Sequence, residues 1–240
     1  MDVATVGTAP DVASRLAAVQ ERIAVAARRV GRDPASVTLV AISKTFPPEA
    51  IRPVIAAGVL DIGENRVQEA EEKIPVLPAA VRWHLVGHLQ RNKVNRALDL
   101  FWLFHGLDRV ELGQAMAARA QRRGKPARLL LQVNLAEKAS QHGFAVPDVV
   151  PAAQQLARLP GLVLEGLMCI APEADDPETT RPSFRRMAAL FGELQASMRA
   201  AGHPWRHLSM GMTNDYPIAV EEGATLVRLG RALFGERSAT

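Results

Sequence analysis

The chain has 240 residues, of which 48% are hydrophobic and 22% are charged, with a formal net charge of +4. This composition suits a globular protein with a sizeable core, and the small, dispersed charge excess gives no indication of nucleic-acid binding. The single cysteine, Cys169, excludes an internal disulfide. No apolar run approaches the roughly 18 residues of a membrane span, and no secretory signal is visible, so we expect a cytoplasmic protein that contacts neither membrane nor nucleic acid.

Residues 1–10 are expected to form a flexible N-terminal tail. Asp11 then has the character of a helix cap, because apolar residues recur after it at helical spacing, and Gly31 follows as a stop signal. We therefore expect an extra N-terminal helix ahead of the main fold, within a single domain that spans residues 11–240.

From residue 37 onwards, apolar strand patterns alternate with helical patterns. Eight strands are predicted, at residues 37–43, 59–63, 81–87, 100–106, 128–134, 162–168, 206–209 and 225–230. Most are continuous apolar runs, which is typical of parallel strands that are buried on both faces. Eight successive strand–helix units predict a (β/α)₈ TIM barrel. The alternative, a doubly wound open sheet, would favour a glycine-rich first turn, whereas the turn after the first strand is KTFPPE.

Candidate functional residues gather where the predicted strands end, which is where TIM barrels carry their sites. These residues are Lys44, Glu64, Asn65, His88, His105, Asn134, Ser209 and Gly211 in SMGM, Arg228, Gly230 and Arg231. His84 and His88 are four residues apart, but on a strand that spacing is roughly 13 Å, too far for one ion. We therefore expect no metal site.

Lys44 raises the most specific question, because it ends the buried run VTLVAIS. It shares strand parity with Val40 and Ile42, so it points into the barrel mouth if those residues point into the barrel. A desolvated lysine there could form a Schiff base with a carbonyl group. The alternative is a lysine that has simply reached solvent at the end of a strand.

The last two strand exits have the character of a phosphate cup. LSMGMTND offers the Ser209 hydroxyl and close backbone approach at Gly211, and RLGRALFG offers Gly230 at the start of a helical turn. Arg228 lies two residues deeper on the last strand. A lysine for an aldehyde, a phosphate cup and a deep arginine for a pyridine nitrogen together suggest pyridoxal 5′-phosphate (PLP). Ordinary turns at the same positions remain the alternative.

Seven segments carry a resemblance to a known family. AISKTFP, IGENRVQE, WHLVGHLQRNKV, VNLAEKASQHGF, LEGLMCI, LSMGMTNDY and LVRLGRALFG follow one another across nearly the whole chain. Together they resemble the pyridoxal phosphate homeostasis protein family, whose barrel is similar to the N-terminal domain of alanine racemase.

The resemblance implies a PLP Schiff base at Lys44, with Arg228 at the pyridine nitrogen and Ser209, Gly230 and Arg231 at the phosphate. It also implies a non-catalytic protein of intracellular PLP and amino-acid homeostasis, with apo PLP-dependent enzymes as recipients. Arg231 stands where the family commonly has threonine, so the phosphate contact there is either the backbone or the guanidinium.

Two other functions stay open at this point. A PLP-dependent racemase needs acid–base groups on both faces of its substrate. Alanine racemase takes its second base from a C-terminal domain, which we expect to be absent because the chain ends at Thr240; Tyr216 is the internal substitute. An aldolase-like barrel using Lys44 would bind no cofactor. Because no broad apolar face stands out on the outer helices, we expect a monomer.

Overall fold

The barrel is built from the predicted strand–helix alternation. A computed structural model describes residues 11–135, 141–172 and 174–235, so the predicted tail lies outside the described residues. The strands are β1 Thr38–Ile42, β2 Asp61–Glu64, β3 Arg82–Leu85, β4 Leu103–Leu107, β5 Ala127–Asn134, β6 Phe144–Ala145, β7 Leu162–Cys169, β8 His207–Ser209 and β9 Leu226–Leu229.

The sheet closes on itself. Its parallel order runs β1, β2, β3, β4, β5, β7, β8, β9, and β9 pairs back with β1. The expectation of a closed eight-stranded barrel is thus confirmed, and the open-sheet alternative is wrong. The short β6 was not predicted; it adds to the edge of β5 through Val133 and Asn134.

Helices surround the barrel. They are α1 Val12–Arg29, α2 Pro48–Ala56, α3 Val67–Lys73, α4 Val94–Leu100, α5 Val110–Arg123, α6 Val146–Leu156, α7 Arg181–Ala200, α8 Tyr216–Glu221 and α9 Arg231–Phe234. Within the described ranges, no helix is sufficiently long and apolar to cross a membrane.

The extra N-terminal helix is confirmed as α1. Asp11 caps it, because its carboxylate accepts a hydrogen bond of 2.7 Å from the Ser14 amide. Its apolar stripe, which includes Leu16, Val19 and Ile23, is buried and packs against α8 and α9 on the outside of the barrel. The helix therefore covers the outer wall of the barrel beside α8 and α9.

Two apolar layers follow from the strand parity. One cluster fills the barrel interior and consists of Val40, Ile42, Leu103, Leu130, Met168 and Leu226. A larger cluster lies between the sheet and the helices. Because Val40 and Ile42 point inward, the side chain two positions further along points into the mouth of the barrel.

Candidate functional site

A cavity of about 640 Å³ opens at the carboxyl ends of the strands. Six of the eleven candidate residues at the strand ends line it: Lys44, Asn65, His88, Arg228, Gly230 and Arg231. Lys44 is half-buried there. Tertiary closure therefore gathers the exits of β1, β2 and β9 at one concave surface, where a small ligand could contact all of them.

The backbone just after Lys44 is strained and held in place. Thr45 has a φ of 68°, in the left-handed region that a β-branched residue adopts at a cost of about 1–2 kcal/mol. Its amide donates a hydrogen bond of 2.8 Å to Glu69 on α3. This bond compensates for the strain and fixes the direction in which the chain leaves Lys44.

A buried ion pair continues this support beneath the strand. Lys73 donates to the Ser43 carbonyl at 2.9 Å and to Glu64 at 2.7 Å, and the Ser43 hydroxyl donates to the same Glu64 oxygen at 2.6 Å. Burial raises the pKa of Glu64, although the bonds from Lys73 and Ser43 act in the opposite direction. The residues on both sides of Lys44 are thus anchored to α3.

The segment NRVQEAEE has the local pattern of a capping box, with Asn65 as the cap and Gln68 three residues later. In the structure α3 starts at Val67 without a side-chain cap. Asn65 lines the cavity instead, and Glu64 is fully buried.

Arg228 lies at the floor of the cavity with only 5% of its surface exposed. Its guanidinium donates to the Ser209 hydroxyl at 2.7 Å and to the Cys169 carbonyl at 2.8 Å. Among the described residues no carboxylate forms an ion pair with it. Burial lowers the pKa of this guanidinium, because the charged form has lost its solvent.

A chain of hydrogen bonds runs from Arg228 through the barrel interior. Ser209 Oγ lies 2.9 Å from His105 Nδ1, and His105 Nε2 lies 2.9 Å from His84 Nδ1. The chain ends where His84 Nε2 lies 2.9 Å from Asp61 Oδ1, beside Arg82.

One assignment of protons satisfies every link of this chain with neutral histidines. The Asp61 carboxylate can only accept, so His84 carries its proton on Nε2, and His105 must then donate from Nε2 and accept from Ser209. Ser209 in turn accepts from Arg228. Burial lowers the pKa of His84 and, more strongly, that of His105, in agreement with neutral rings.

Ser209 and Gly211, which were expected to form part of the phosphate cup, lie outside the cavity lining. The expectation placed the Ser209 hydroxyl in the phosphate cup, but this side chain is fully buried and bonded to His105 and Arg228. Gly211 also lies off the cavity, with a φ of 90°. A Cβ there would come within 2.6 Å of Ala219, so glycine serves the turn that leads into α8.

The wall near β9 includes two residues that were not among the sequence candidates. Thr213 and Asn214 line the cavity together with Gly230 and Arg231. They lie four and five residues after Ser209, the last residue of β8. Because TIM barrels carry functional groups in the loops that follow their strands, this position was a usable signal.

Gln132 also lines the cavity, and its amide donates to the His142 carbonyl at 2.9 Å. It shares the inward parity of Leu130, so a polar residue in that register could have been noticed. The other residues singled out at strand exits, Glu64, His105 and Asn134, do not line the cavity.

Tyr216 differs most from its expected position. As the internal substitute for a second base it would have to face the ligand, but the ring is buried under Arg22 of α1, whose guanidinium lies 5.1 Å from the ring centre. It does not line the cavity. Cys169 is buried, as expected for a packing residue, and burial raises the pKa of its thiol to about 12.

Comparisons with known sequences identify relatives of this chain. The family model "Alanine racemase, N-terminal domain" matches residues 14–238. A pyridoxal phosphate homeostasis protein of Aquifex aeolicus is 39% identical over 93% of this chain and 97% of the relative. Another, of Escherichia coli K12, is 35% identical over 95% of this chain and 97% of the relative.

Solved structures of similar proteins have the same fold. PipY of Synechococcus elongatus PCC7942 without PLP has a TM-score of 0.83 at 36% identity and covers 94% of this chain and 100% of its own. The same protein with PLP bound has a TM-score of 0.80 at 37% identity, with the same coverage. Alanine racemase of Clostridium difficile has a TM-score of 0.70 at 14% identity over 95% of this chain and 57% of its own, a likeness of fold alone.

Proposed function

The chain belongs to the pyridoxal phosphate homeostasis protein family, and on that basis we propose that it binds pyridoxal 5′-phosphate as a carrier without turnover of its own. It acts as a cytoplasmic monomer in PLP homeostasis, with apo PLP-dependent enzymes as recipients. This proposal draws on a relative that was solved with PLP bound and on relatives that carry the name of a homeostasis protein.

The observation that supports the proposal most is Arg228. A buried cation without an ion-pair partner among the described residues is costly unless an acceptor reaches it. Arg228 lines the same cavity as the Lys44 amine. A pyridine nitrogen offers a single lone-pair acceptor, and an aldehyde on the same ring offers an electrophile for the amine, so the donor set fits PLP.

When bound, PLP supplies an aldehyde for a Schiff base at Lys44 and a ring that withdraws electrons. Arg228 determines how strongly the ring can do so. A guanidinium donates and cannot accept a proton, so Arg228 favours an unprotonated pyridine nitrogen, which is a weak electron sink. This favours holding the cofactor over carbanion chemistry.

Arg231, Thr213, Asn214 and the Gly230 backbone would hold the phosphate. At Gly230 a Cβ would meet the Ile42 carbonyl at 3.3 Å, so glycine lets the backbone at this wall lie close to β1. The guanidinium of Arg231 offers charge-assisted bonds to a phosphate oxygen. Asn65, which follows β2 and lines the same cavity, is a further ligand contact, whereas Ser209 acts on the site by positioning Arg228.

The position of Tyr216 favours the carrier over a racemase. A second base must face the bound substrate, and this ring is buried beneath α1, outside the cavity lining. The aldolase-like alternative requires that the cavity bind no PLP, and the next experiment tests this directly.

The test is the visible absorption spectrum of the purified protein incubated with PLP, followed by borohydride reduction and peptide mapping. We expect a coloured protein and a reduced adduct on Lys44. Lys44→Ala should abolish both, whereas Lys125→Ala, which removes an exposed amine remote from the strand exits, should change neither. A protein that stays colourless, or an adduct on another lysine, would sink the proposal.

A further inference from the structure

The rim of the cavity brings together two histidines and an aspartate from separate segments. His88 follows β3, Asp108 follows β4 and His142 precedes β6. From this arrangement we infer a binding site for a divalent transition-metal ion of the Zn²⁺ class, with one ligand atom from each side chain. No metal site was expected from the sequence, because His84 is the only possible metal ligand close to His88 along the chain, and on a strand the two lie too far apart for one ion.

The ligand atoms already converge on one carboxylate oxygen. Asp108 Oδ2 lies 2.7 Å from His88 Nδ1 and 3.4 Å from His142 Nδ1, and the possible ligand atoms of the three residues all lie within 4.8 Å of one another. Bonds of about 2.0–2.1 Å in a tetrahedral zinc site separate neighbouring donors by roughly 3.3 Å. His142 already meets that spacing, and His88 needs a shift of roughly half an ångström.

Both imidazoles can make this adjustment. Their rings stack with centroids 4.0 Å apart and planes 18° from parallel, so binding one ion requires them to splay. The side chains are 30% exposed at His88 and 58% exposed at His142, which leaves room for that motion. Asp108 is only 5% exposed and provides the fixed point.

Neighbouring groups orient the ligands, as outer-shell partners do at protein metal sites. Arg109 donates to Asp108 Oδ1 at 2.5 Å and so leaves Oδ2 for the imidazoles. The Gln132 side-chain amide donates a hydrogen bond of 2.9 Å to the His142 carbonyl and so holds the His142 backbone in place. A simple His88–Asp108 hydrogen bond would not need a second imidazole directed at the same oxygen.

The donor set also selects the class of ion. Two imidazole nitrogens and one carboxylate suit Zn²⁺, Co²⁺, Ni²⁺ or Cu²⁺ rather than Mg²⁺ or Ca²⁺. Three protein ligands leave an open position, and the Arg109 charge opposes a dication. The ion is therefore exchangeable, unlike a structural zinc held by four protein ligands.

Bound metal would cross-link three segments around the cavity mouth. Because His88 and His142 both line the cavity, the ion would sit at its entrance and stabilise the folded state by mass action. This inference does not depend on whether PLP binds.

The experiment uses untagged protein, both free of PLP and loaded with it, titrated with Zn²⁺ and Co²⁺. Calorimetry should give one ion per chain, Co²⁺ should develop a visible ligand-field band, and Zn²⁺ should raise the melting temperature of both forms. His88→Gln, His142→Gln and Asp108→Asn should each weaken binding by about tenfold or more. Asp175→Asn, which removes an exposed charge from another loop, should leave the affinity unchanged.

Two results would overturn the inference. The first is the absence of saturable binding to either form. The second is binding that survives both histidine substitutions, which would assign the ion to another site. Circular dichroism of each variant separates loss of ligand from loss of fold. The outcome is also independent of the Lys44 labelling test, since neither measurement uses the residues of the other.

Discussion

The Arg228 guanidinium donates a hydrogen bond of 2.7 Å to the Ser209 hydroxyl inside the barrel. That bond is the last link of a hydrogen-bond chain whose directions are set at its other end, where the Asp61 carboxylate can only accept, and which runs through His84 and His105 to Ser209. The last two strand exits are thereby joined to the opposite side of the barrel. Ser209 is a positioning residue for Arg228, and this role can be tested.

We expect Ser209→Ala to lower the free energy of unfolding by about 1–3 kcal/mol, because it leaves Arg228 and His105 each short of a buried partner. PLP affinity should fall as well, since the arginine loses its anchor. Urea unfolding and a PLP titration measure the two effects. Ser197→Ala removes a hydroxyl that bonds only within α7 and should change neither by much; equal effects of both variants would refute the positioning role.

Stability should fall with acidification through His207. Burial lowers the pKa of His207 to about 4, so below the ordinary histidine pKa of about 6.5 the unfolded chain takes up a proton that the native state does not. The stability is lost as pH falls from 6.5 towards 4. Between pH 7 and pH 5 this histidine should cost about 2 kcal/mol.

The control for this prediction is His207→Gln, which removes the titrating ring. Urea unfolding of both proteins at pH 7 and pH 5 gives the difference directly, and other titrating groups cancel in it. Parallel pH dependences of the two proteins would show that His207 makes no such contribution.

Glu64 and Lys73 form a buried pair 2.7 Å apart whose side chains are at most 6% exposed. Removing one partner leaves the other buried without it, so Lys73→Met or Glu64→Gln should each cost about 3–5 kcal/mol. The double variant should cost less than the sum, because no unpaired group remains. Chemical unfolding of the wild type, the two single variants and the double variant gives the coupling energy of the pair as a double-mutant cycle.

The surface pair of Arg96 and Glu71, 3.5 Å apart with Arg96 65% exposed, provides the matched comparison. Arg96→Ala should change stability by less than about 1 kcal/mol. If the Lys73 and Glu64 substitutions proved strictly additive, the pair would not act as a unit beneath Lys44.

Arg231 lines the cavity wall beside Gly230. We expect Arg231→Ala to weaken PLP affinity and to flatten its dependence on salt, because a charge-assisted phosphate contact is screened by ions. Arg231→Glu should weaken binding further. Arg122→Ala, which removes an exposed arginine from α5, is the control. If the salt dependence of PLP affinity were unchanged in Arg231→Ala, the guanidinium would not contact the phosphate, and the backbone would make that contact.

Tyr216 carries a buried hydroxyl with no hydrogen-bond partner among the described residues. Tyr216→Phe should therefore leave the free energy of unfolding equal or slightly higher, since an unsatisfied polar group is lost. PLP binding should be unchanged. The decisive assay is exchange of the α-proton of alanine with deuterated solvent. Exchange that the wild type catalyses and Tyr216→Phe does not would support a racemase that uses Tyr216 as a base.

Much of this architecture could be read from local patterns. Segments of four to seven residues, most of them continuous apolar runs, marked the eight barrel strands, and the parity of Val40 and Ile42 placed Lys44 at the mouth. The strand β6 could not be predicted, because Phe144 and Ala145 pair only with β5 and two residues carry no pattern. The capping-box pattern at Asn65 did not form a cap, because α3 begins only at Val67 and Arg66 takes the N-cap position.

The sequence by itself determined the barrel and the extra helix α1. It also placed Lys44, Asn65, Arg228, Gly230 and Arg231 near the carboxyl ends of the strands, where they line one cavity, because strand periodicity decides which side chains lie there. Only the tertiary structure decided what those side chains meet. It turned Ser209 away from the cavity towards Arg228, buried Glu64 against Lys73, removed Tyr216 from the site, and brought His142 to Asp108 and His88. These are contacts between residues distant along the chain, and barrel closure creates them.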